Sequence, residues 1–241
     1  MTKSCYLWAI LPLLLCQCSP KYYTPNTQNV PLLQAKGQSN ISLSGNANQI
    51  ELQASTAVSD MIGLQLNGGI FFPSDLDNGN GGSGKVIEAG VGYYKPIGDN
   101  FVFETYGLLG FGNVENHLPS EVANNPGTTG DIKANIIRYG IQPNFGFVTK
   151  YLTAAISARF VALHYSNIEG SLIFEQEDQV IALEDQSNNF LIEPALTLTG
   201  GLERLKLKLQ VMGSFNLSNS NFRQDNSLVS IGLQYHFRVK Q

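Results

Sequence analysis

Apolar and polar residues alternate along most of the chain after residue 39. From Ile62 to Phe72 the apolar residues share one parity, and Phe71 is the one apolar residue among the glycine, glutamine and asparagine of the other. Successive side chains of a strand point to opposite faces, so this alternation predicts a strand with one apolar face. The pattern recurs in ten segments, and the longer ones match the roughly nine to eleven residues with which a tilted strand crosses a bilayer. The predicted strands lie near Ile41 to Gly45, Gln49 to Val58, Ile62 to Phe72, Lys85 to Lys95, Phe101 to Val114, Lys133 to Val148, Tyr151 to Ser166, Asn189 to Thr199, Leu205 to Leu217 and Asn226 to Phe237.

The connections between these segments alternate between short and long. The short ones are Ser59 to Met61, Pro96 to Asn100, Thr149 to Lys150 and Gly200 to Arg204, and the long polar ones are Pro73 to Gly84, Glu115 to Ile132, Ile168 to Asn188 and Ser218 to Asp225. Only Asn46 to Asn48 is a short turn on the long-loop side. In a meander this order gives short periplasmic turns and long outer loops, as in outer-membrane barrels. We therefore predict an all-β fold, a single up-and-down antiparallel transmembrane β-barrel of about ten strands, with eight strands and an edge hairpin as the alternative.

An even number of strands returns the C-terminus to the periplasmic side, and we expect the N-terminal segment to begin on that side too. The loops show no helical periodicity. The acidic stretch from Glu169 to Asp185 is predicted to be a solvated outer loop.

The polar face of the predicted strands is unlike a surface exposed to water. Charged residues make up 14% of the chain and glycine is abundant, with 24 residues, whereas a solubilising exterior carries more charge. This favours a barrel whose apolar face meets lipid over a soluble barrel with an apolar lumen. Eight charged residues fall on the polar face: Glu51, Glu88, Glu104, Glu193, Arg138, Arg159, Lys206 and Lys208. Because unpaired buried charges are costly, we predict a lumen ion-pair network in a plugged or very narrow interior, with a proton or solute path as the alternative.

The first residues have the layout of a bacterial lipoprotein signal. A basic start at Lys3 precedes an apolar run of roughly ten residues, too short to span a bilayer. Both Leu15-Cys16-Gln17-Cys18 and Leu13-Leu14-Leu15-Cys16 resemble a lipobox. We predict lipidation of Cys18, with Cys16 as the alternative, and incidental cysteines of an ordinary signal peptide as the third interpretation. The predicted organisation is a signal peptide over residues 1–17, a lipidated Pro- and Asn-rich linker over 18–39, and the barrel over 40–241.

The linker carries a specific resemblance. Residues 22–33 read Tyr-Tyr-Thr-Pro-Asn-Thr-Gln-Asn-Val-Pro-Leu-Leu and are followed by Lys36-Gly37-Gln38. This resembles the start of a family of outer-membrane β-barrel lipoproteins of Bacteroidota-type bacteria, with a lipidated Cys, Tyr-x-Pro-Asn-x-x-Asn-x-Pro, a Lys-Gly-Glu-like step and then barrel strands. Gln38 stands where an acidic residue is usual, and the likeness continues as a pattern through residues 88–94 and 103–107. The resemblance implies an outer-membrane location and a β-barrel, and it assigns no chemistry.

Few residues indicate catalysis, metal binding or nucleic-acid binding. The net charge of -4 offers no basic footprint for nucleic acid. No metal-binding motif accompanies the three histidines, so neither a metal nor a cofactor is predicted. Ser157 or Ser166 with His164, and Ser230 with His236, are pairings that would suit a lipid-modifying enzyme, but no Gly-x-Ser-x-Gly elbow accompanies them.

Together these features predict a protein that is not an enzyme. We expect an outer-membrane β-barrel lipoprotein with a structural or surface-interaction role, with a small-solute channel as the first alternative and a lipid-modifying enzyme as the second. The expected partners are outer-membrane lipids and, through the terminal aromatic pattern from Leu233 to Phe237, the machinery that inserts outer-membrane barrels. No motif specifies an extracellular or envelope partner.

Overall fold

The computed structural model describes residues 20–72, 81–118, 127 and 129–237. The predicted signal peptide, Cys16 and Cys18 lie outside the described residues, as do parts of two long loops. The described residues form thirteen strands and one helix: β1 (Ser39–Gly45), β2 (Gln49–Ala57), β3 (Ile62–Phe71), β4 (Gly81–Ile97), β5 (Phe101–Leu118), β6 (Gly130–Val148), β7 (Leu152–Gly170), β8 (Ile173–Phe174), β9 (Glu177–Asp178), α1 (Gln179–Asp185), β10 (Asn188–Gly201), β11 (Leu205–Gly213), β12 (Phe215–Asn216) and β13 (Ser227–Phe237).

Ten of these strands form a closed antiparallel barrel. Each of β1 to β6 pairs with the next strand, β7 pairs with β10, and the ring closes through β11 and β13 back to β1. The closing seam runs from Ser39 opposite Phe237 to Gly45 opposite Ile231. Because β1 pairs along its whole length with both β2 and β13, the ten-stranded barrel is confirmed and the eight-stranded alternative is wrong.

The two ends of the barrel differ in their connections. We call the end with the connections 58–61, 98–100, 149–151 and 202–204 the short-turn end, and the opposite end the long-loop end. Strands β4 to β7 have 17 to 19 residues, whereas β1 to β3, β11 and β13 have 7 to 11. Since tight turns align the strands at the short-turn end, the wall is higher on the β4–β7 side at the long-loop end.

The connection from residue 171 to 187 contains regular structure that the sequence did not predict. The acidic residues of the predicted solvated loop are exposed, namely Glu169, Glu175, Glu177, Asp178, Glu184 and Asp185. The connection contains the β8–β9 hairpin and the seven-residue helix α1, whose N-cap Asp178 accepts hydrogen bonds from two backbone N–H groups. Phe174 and Leu183 are buried in an apolar cluster with residues of the barrel wall. A helix this short shows no usable periodicity in a sequence and depends on tertiary packing for its stability.

Side chains follow the predicted alternation across the wall. On β3, Leu64 and Leu66 are 41% and 52% exposed on the outside, whereas Gln65 and Asn67 are buried inside. Large exposed apolar side chains recur in this way around all ten barrel strands. An apolar exterior of this extent suits a hydrocarbon environment. Among the described residues, no helix is long and apolar enough to cross a membrane.

Candidate functional site in the barrel lumen

The N-terminal part of the described chain lies inside the barrel. We call residues 20–33 the luminal segment. All of its residues are buried except Lys21 and Thr24, which are partly buried. The segment includes Pro20, Pro25 and Pro31. Because proline has no N–H group and a fixed φ, such a chain stays out of helices and sheets and has fewer backbone donors to satisfy in a narrow lumen.

Side chains of the wall bind the backbone of the luminal segment. Four backbone N–H groups donate to wall oxygens: Lys21 to Asn116 Oδ1 at 3.1 Å, Thr27 to Glu51 Oε1 at 2.9 Å, Gln28 to Gln210 Oε1 at 2.7 Å and Leu33 to Glu104 Oε1 at 2.6 Å. In return, the side-chain amides of Gln53, Gln142 and Gln210 donate to carbonyls of the segment. A chain without regular secondary structure thereby satisfies its buried backbone groups.

Four of the predicted lumen charges come together in a buried cluster. Arg138 Nη2 lies 2.8 Å from Glu88 Oε2, and Arg159 Nε lies 2.6 Å from Glu193 Oε2. Arg159 Nη1 is also 3.9 Å from Glu88 Oε1 and joins the two pairs. All four residues are at most 2% exposed. Two carboxylates and two guanidinium groups therefore offset one another's charge in a buried site.

The luminal segment completes this charge cluster. The Tyr23 hydroxyl donates to Glu193 Oε1 at 2.8 Å, and Arg159 Nη2 donates to the Asn26 carbonyl at 3.0 Å. These bonds use acceptor and donor positions that the ion pairs leave open. The cluster thus holds the segment as well as the wall.

The other four predicted lumen charges contact polar groups instead of one another. Among the described residues no ion pair within 4.0 Å involves any of these four. The two carboxylates accept hydrogen bonds: Glu51 accepts them from Thr27 and Gln49, and Glu104 accepts them from Leu33, Tyr106 and Asn144. The two ammonium groups donate hydrogen bonds: Lys206 donates to Thr149 and Thr153, and Lys208 donates to Gln28 and Gln53. Three of the four therefore bind the luminal segment directly.

Glycines of the wall make room for the segment near the short-turn end. A Cβ atom at Gly146 would overlap Leu32 Cδ1, and one at Gly63 would lie 2.8 Å from Leu33 Cδ1. Both leucines are buried, at 2% and 0% exposure. Their close approach to the wall requires glycine at these two positions.

An apolar cluster closes the long-loop end. Tyr22 and Tyr23 pack there with Leu183 of α1 and with Phe222 of the β12–β13 connection. The Tyr22 hydroxyl donates to Gln179 Oε1 at 2.9 Å. Residues of the segment, the helix and the wall therefore form one buried cap over the lumen.

The luminal segment begins at the long-loop end, which corrects the expected position of the N-terminal segment. The Lys21 N–H donates to Asn116 Oδ1 at 3.1 Å, two residues before the end of β5. The C-terminal strand β13 ends at Phe237, at the short-turn end. The described N-terminal residues and the C-terminal strand end are therefore on opposite sides of the barrel.

The serine and histidine pairings considered above are mostly kept apart. Ser157 lies in the lumen, whereas His164 and Ser166 face outward on the same strand. Ser230 and His236 share the inner face of β13 but are six positions apart, or about 20 Å. No described hydrogen bond joins a serine to a histidine in these pairings. In the described part of the chain, no group of three or more His, Cys, Asp or Glu is placed to hold a metal ion.

Structural comparison finds three proteins among the matches, two of which are named as outer membrane proteins. A major outer membrane protein from Thermus thermophilus is 10% identical, with a TM-score of 0.39 over 83% of this chain and 99% of that one. LpxR from Salmonella typhimurium is 11% identical, with a TM-score of 0.36 over 83% and 99%. OmpT of Vibrio cholerae is 8% identical, with a TM-score of 0.24 over 83% and 96%. No family model and no curated protein matches the sequence, so the family resemblance of residues 22–38 stays a prediction.

The architecture is that of an outer-membrane β-barrel: a closed antiparallel meander, apolar outside and polar inside, with long loops at one end. Sequence reasoning identified the wall charges but missed the chain that they bind. One feature of the sequence could have indicated this chain: residues 20–33 carry several amide side chains between their prolines, and a linker in water does not require so many amides. In the structure Asn26, Gln28 and Asn29 are all buried.

Proposed function

We propose that this chain is an outer-membrane β-barrel lipoprotein with a sealed lumen, which acts in a structural or surface-interaction role and catalyses no reaction. The observation that carries the proposal is the luminal segment, whose buried residues run through the lumen and bond to the wall on several sides. An open solute path needs a water-continuous lumen. A lumen filled by the chain itself favours a sealed barrel over the channel alternative.

Planar-bilayer recording tests the sealed lumen. The refolded full-length protein is expected to show no conductance above background. A variant that lacks residues 20–33 is expected to show conductance steps, because its polar lumen is no longer filled. Heat-modifiable migration on gels verifies that both proteins are folded barrels. Conductance of the folded full-length protein above background would favour the channel alternative.

The lipoprotein part of the proposal is supported by the lipobox-like sequence at Cys18. Metabolic labelling with palmitate is expected to mark the protein in cells and to fail for Cys18→Ser. Cys16→Ser is the matched control and should keep the label. A label lost in Cys16→Ser and kept in Cys18→Ser would move the anchor to Cys16.

The non-enzymatic part is supported by the separation of Ser157 from His164 and of Ser230 from His236. Refolded protein is expected to release no acyl chains from phospholipid or lipid A vesicles beyond the level of vesicles alone. Acyl release that is lost on replacement of the histidines would favour the lipid-modifying alternative.

A further inference from the structure

The luminal segment crosses the barrel in a defined direction. Lys21 is bound by Asn116 near the outer end of β5, and Leu33 is bound by Glu104 near the start of the same strand. Between them, Thr27 is bound by Glu51 and Asn29 by Asn67. The chain then leaves the lumen at the short-turn end and enters β1 at Ser39.

The length of this path matches the thickness of a membrane. Asn116 and Glu104 are twelve positions apart on β5, which corresponds to about 40 Å along the strand. At a strand tilt of about 40° this is close to the roughly 30 Å of a hydrocarbon core. The luminal segment therefore leads from one membrane surface to the other.

The outside of β5 shows where the hydrocarbon ends relative to Lys21. Phe111 faces outward and is 51% exposed, whereas the next outward positions are Asn113 and Glu115, and Glu115 forms an ion pair with Lys133. Asn116, which holds Lys21, follows directly. The start of the luminal segment thus lies beyond the apolar exterior, at the level of polar headgroups.

We infer that the lipid anchor of this protein lies on the outer face of the membrane, on the same side as the long loops. Cys18 is two residues from Pro20 and therefore within about 7 Å of it, and even Cys16 is within about 14 Å. Outer-membrane barrels direct their long loops outward. The acyl chains enter the outer leaflet, and the polypeptide passes inward through its own barrel. This inference rests on the lipidation and outer-membrane location of the proposed function.

At the long-loop end, the rim of the barrel is low enough for a short N-terminal anchor to reach the surrounding lipid. The luminal segment runs beside the β12–β13 connection there: the Tyr22 N–H donates to the Arg223 carbonyl, and the Asp225 N–H donates to the Tyr23 carbonyl. This connection leads into β13, next to the short strands β1 to β3. The wall is lowest on this side, so the acyl chains have the shortest path over the rim.

Thiol labelling on intact cells tests the side of the anchor. Ser19→Cys adds a thiol beside the lipidated residue of the full chain. Gln176→Cys, in the exposed β8–β9 turn, is the outer control, and Asp99→Cys, in a short turn, is the inner control. A membrane-impermeant maleimide is expected to label Ser19→Cys and Gln176→Cys on intact cells, and Asp99→Cys only after permeabilisation. Wild-type protein provides the background.

Labelling of Ser19→Cys only after permeabilisation, or no labelling in either condition while Gln176→Cys reacts, would overturn the inference. As a second readout, an epitope is inserted between Ser19 and Pro20, and heat-modifiable migration on gels verifies that this variant is a folded barrel. Mild proteolysis of intact cells is then expected to remove the epitope. An epitope that survives on intact cells and is lost after permeabilisation would also overturn it. Failure of the proposed function is seen separately, as loss of palmitate label or of outer-membrane fractionation in the wild-type protein.

Discussion

Charged residues of the lumen divide into two kinds that the sequence did not distinguish. Glu88, Arg138, Arg159 and Glu193 bind one another, whereas Glu104 accepts hydrogen bonds from Leu33 and other polar groups. In the sequence they look alike, because each is a charged residue at a position of the polar face of a strand. Arg159 and Glu193 are opposite each other on neighbouring strands, and Glu88 and Arg138 lie on either side of Gly110 at the same level of the wall. Glu104 instead faces the backbone of the luminal segment, and no alternation pattern contains that difference.

Replacement of Arg159 should destabilise the barrel strongly. Arg159→Met removes the partner of Glu193 and one partner of Glu88, and it also releases the Asn26 carbonyl. Loss of one side of a buried pair costs about 3–5 kcal/mol. Guanidinium unfolding in detergent micelles measures this loss of unfolding free energy. The exposed pair of Lys133 with Glu115 is the control, and Lys133→Met should change the unfolding free energy by about 1 kcal/mol or less; equal effects of the two variants would contradict the cluster.

Glu104 tests the contact between wall and segment. Glu104→Ala leaves the buried Leu33 N–H without its acceptor, at a cost of about 1–3 kcal/mol. Glu104→Gln keeps an acceptor oxygen in the same place and should lose less unfolding free energy than the alanine variant. The same denaturant titration compares the two. If alanine and glutamine have the same effect, Glu104 does not support the segment through this hydrogen bond.

Among the elements of the fold, the luminal segment and the strands around it are matched in shape. Gly146 lies against Leu32, whereas Gly107 faces outward and a Cβ atom there would meet its nearest neighbour, the Val91 carbonyl, at 3.8 Å. Both glycines lie on barrel strands of similar length. They therefore offer a matched comparison of the inner and outer faces of the wall.

Gly146→Val should displace the segment, and Gly107→Val should be nearly neutral. The added side chain at Gly146 occupies the volume of the Leu32 side chain, so Leu32→Ala in the same protein should restore part of the lost stability. Contacting residues show coupling energies of about 0.5–3 kcal/mol in such a cycle. Unfolding free energies of the two single variants and the double variant measure the coupling. Strict additivity would show that Leu32 does not pack on Gly146.

The folded connection with α1 shows why long loops escape sequence reasoning. The stretch from Glu177 to Asp185 begins and ends with pairs of acidic residues, and so resembles a solvated loop. What orders them is burial of Gln179 and Leu183 against the cap, together with the Asp178 N-cap. These contacts come from residues far away in the chain, including Tyr22.

For the molecule as a whole, the barrel and its plugged or narrow interior were predictable, but the segment of chain that fills the lumen was not. Local periodicity predicts the number of strands, the opposite faces of Leu64 and Gln65, and the alternation of short turns with long loops. It does so because successive side chains of a strand point to opposite faces. The course of residues 20–33 has no period. It depends on matching single amides and carbonyls to wall residues such as Glu51 and Gln210, which are distant in sequence.

Residues 20–33 run through the lumen and bond to its wall, and both the sealed lumen and the outer position of the anchor depend on that course. Amide hydrogen exchange of the full-length protein in detergent micelles, read by mass spectrometry, tests it without any substitution. The segment has no regular secondary structure of its own, so protection of the Thr27, Gln28 and Leu33 amides can arise only from Glu51, Gln210 and Glu104. Peptides covering residues 22–33 are expected to exchange as slowly as those of the barrel strands. Exchange as fast as in the exposed turn at residues 34–37 would contradict a luminal course.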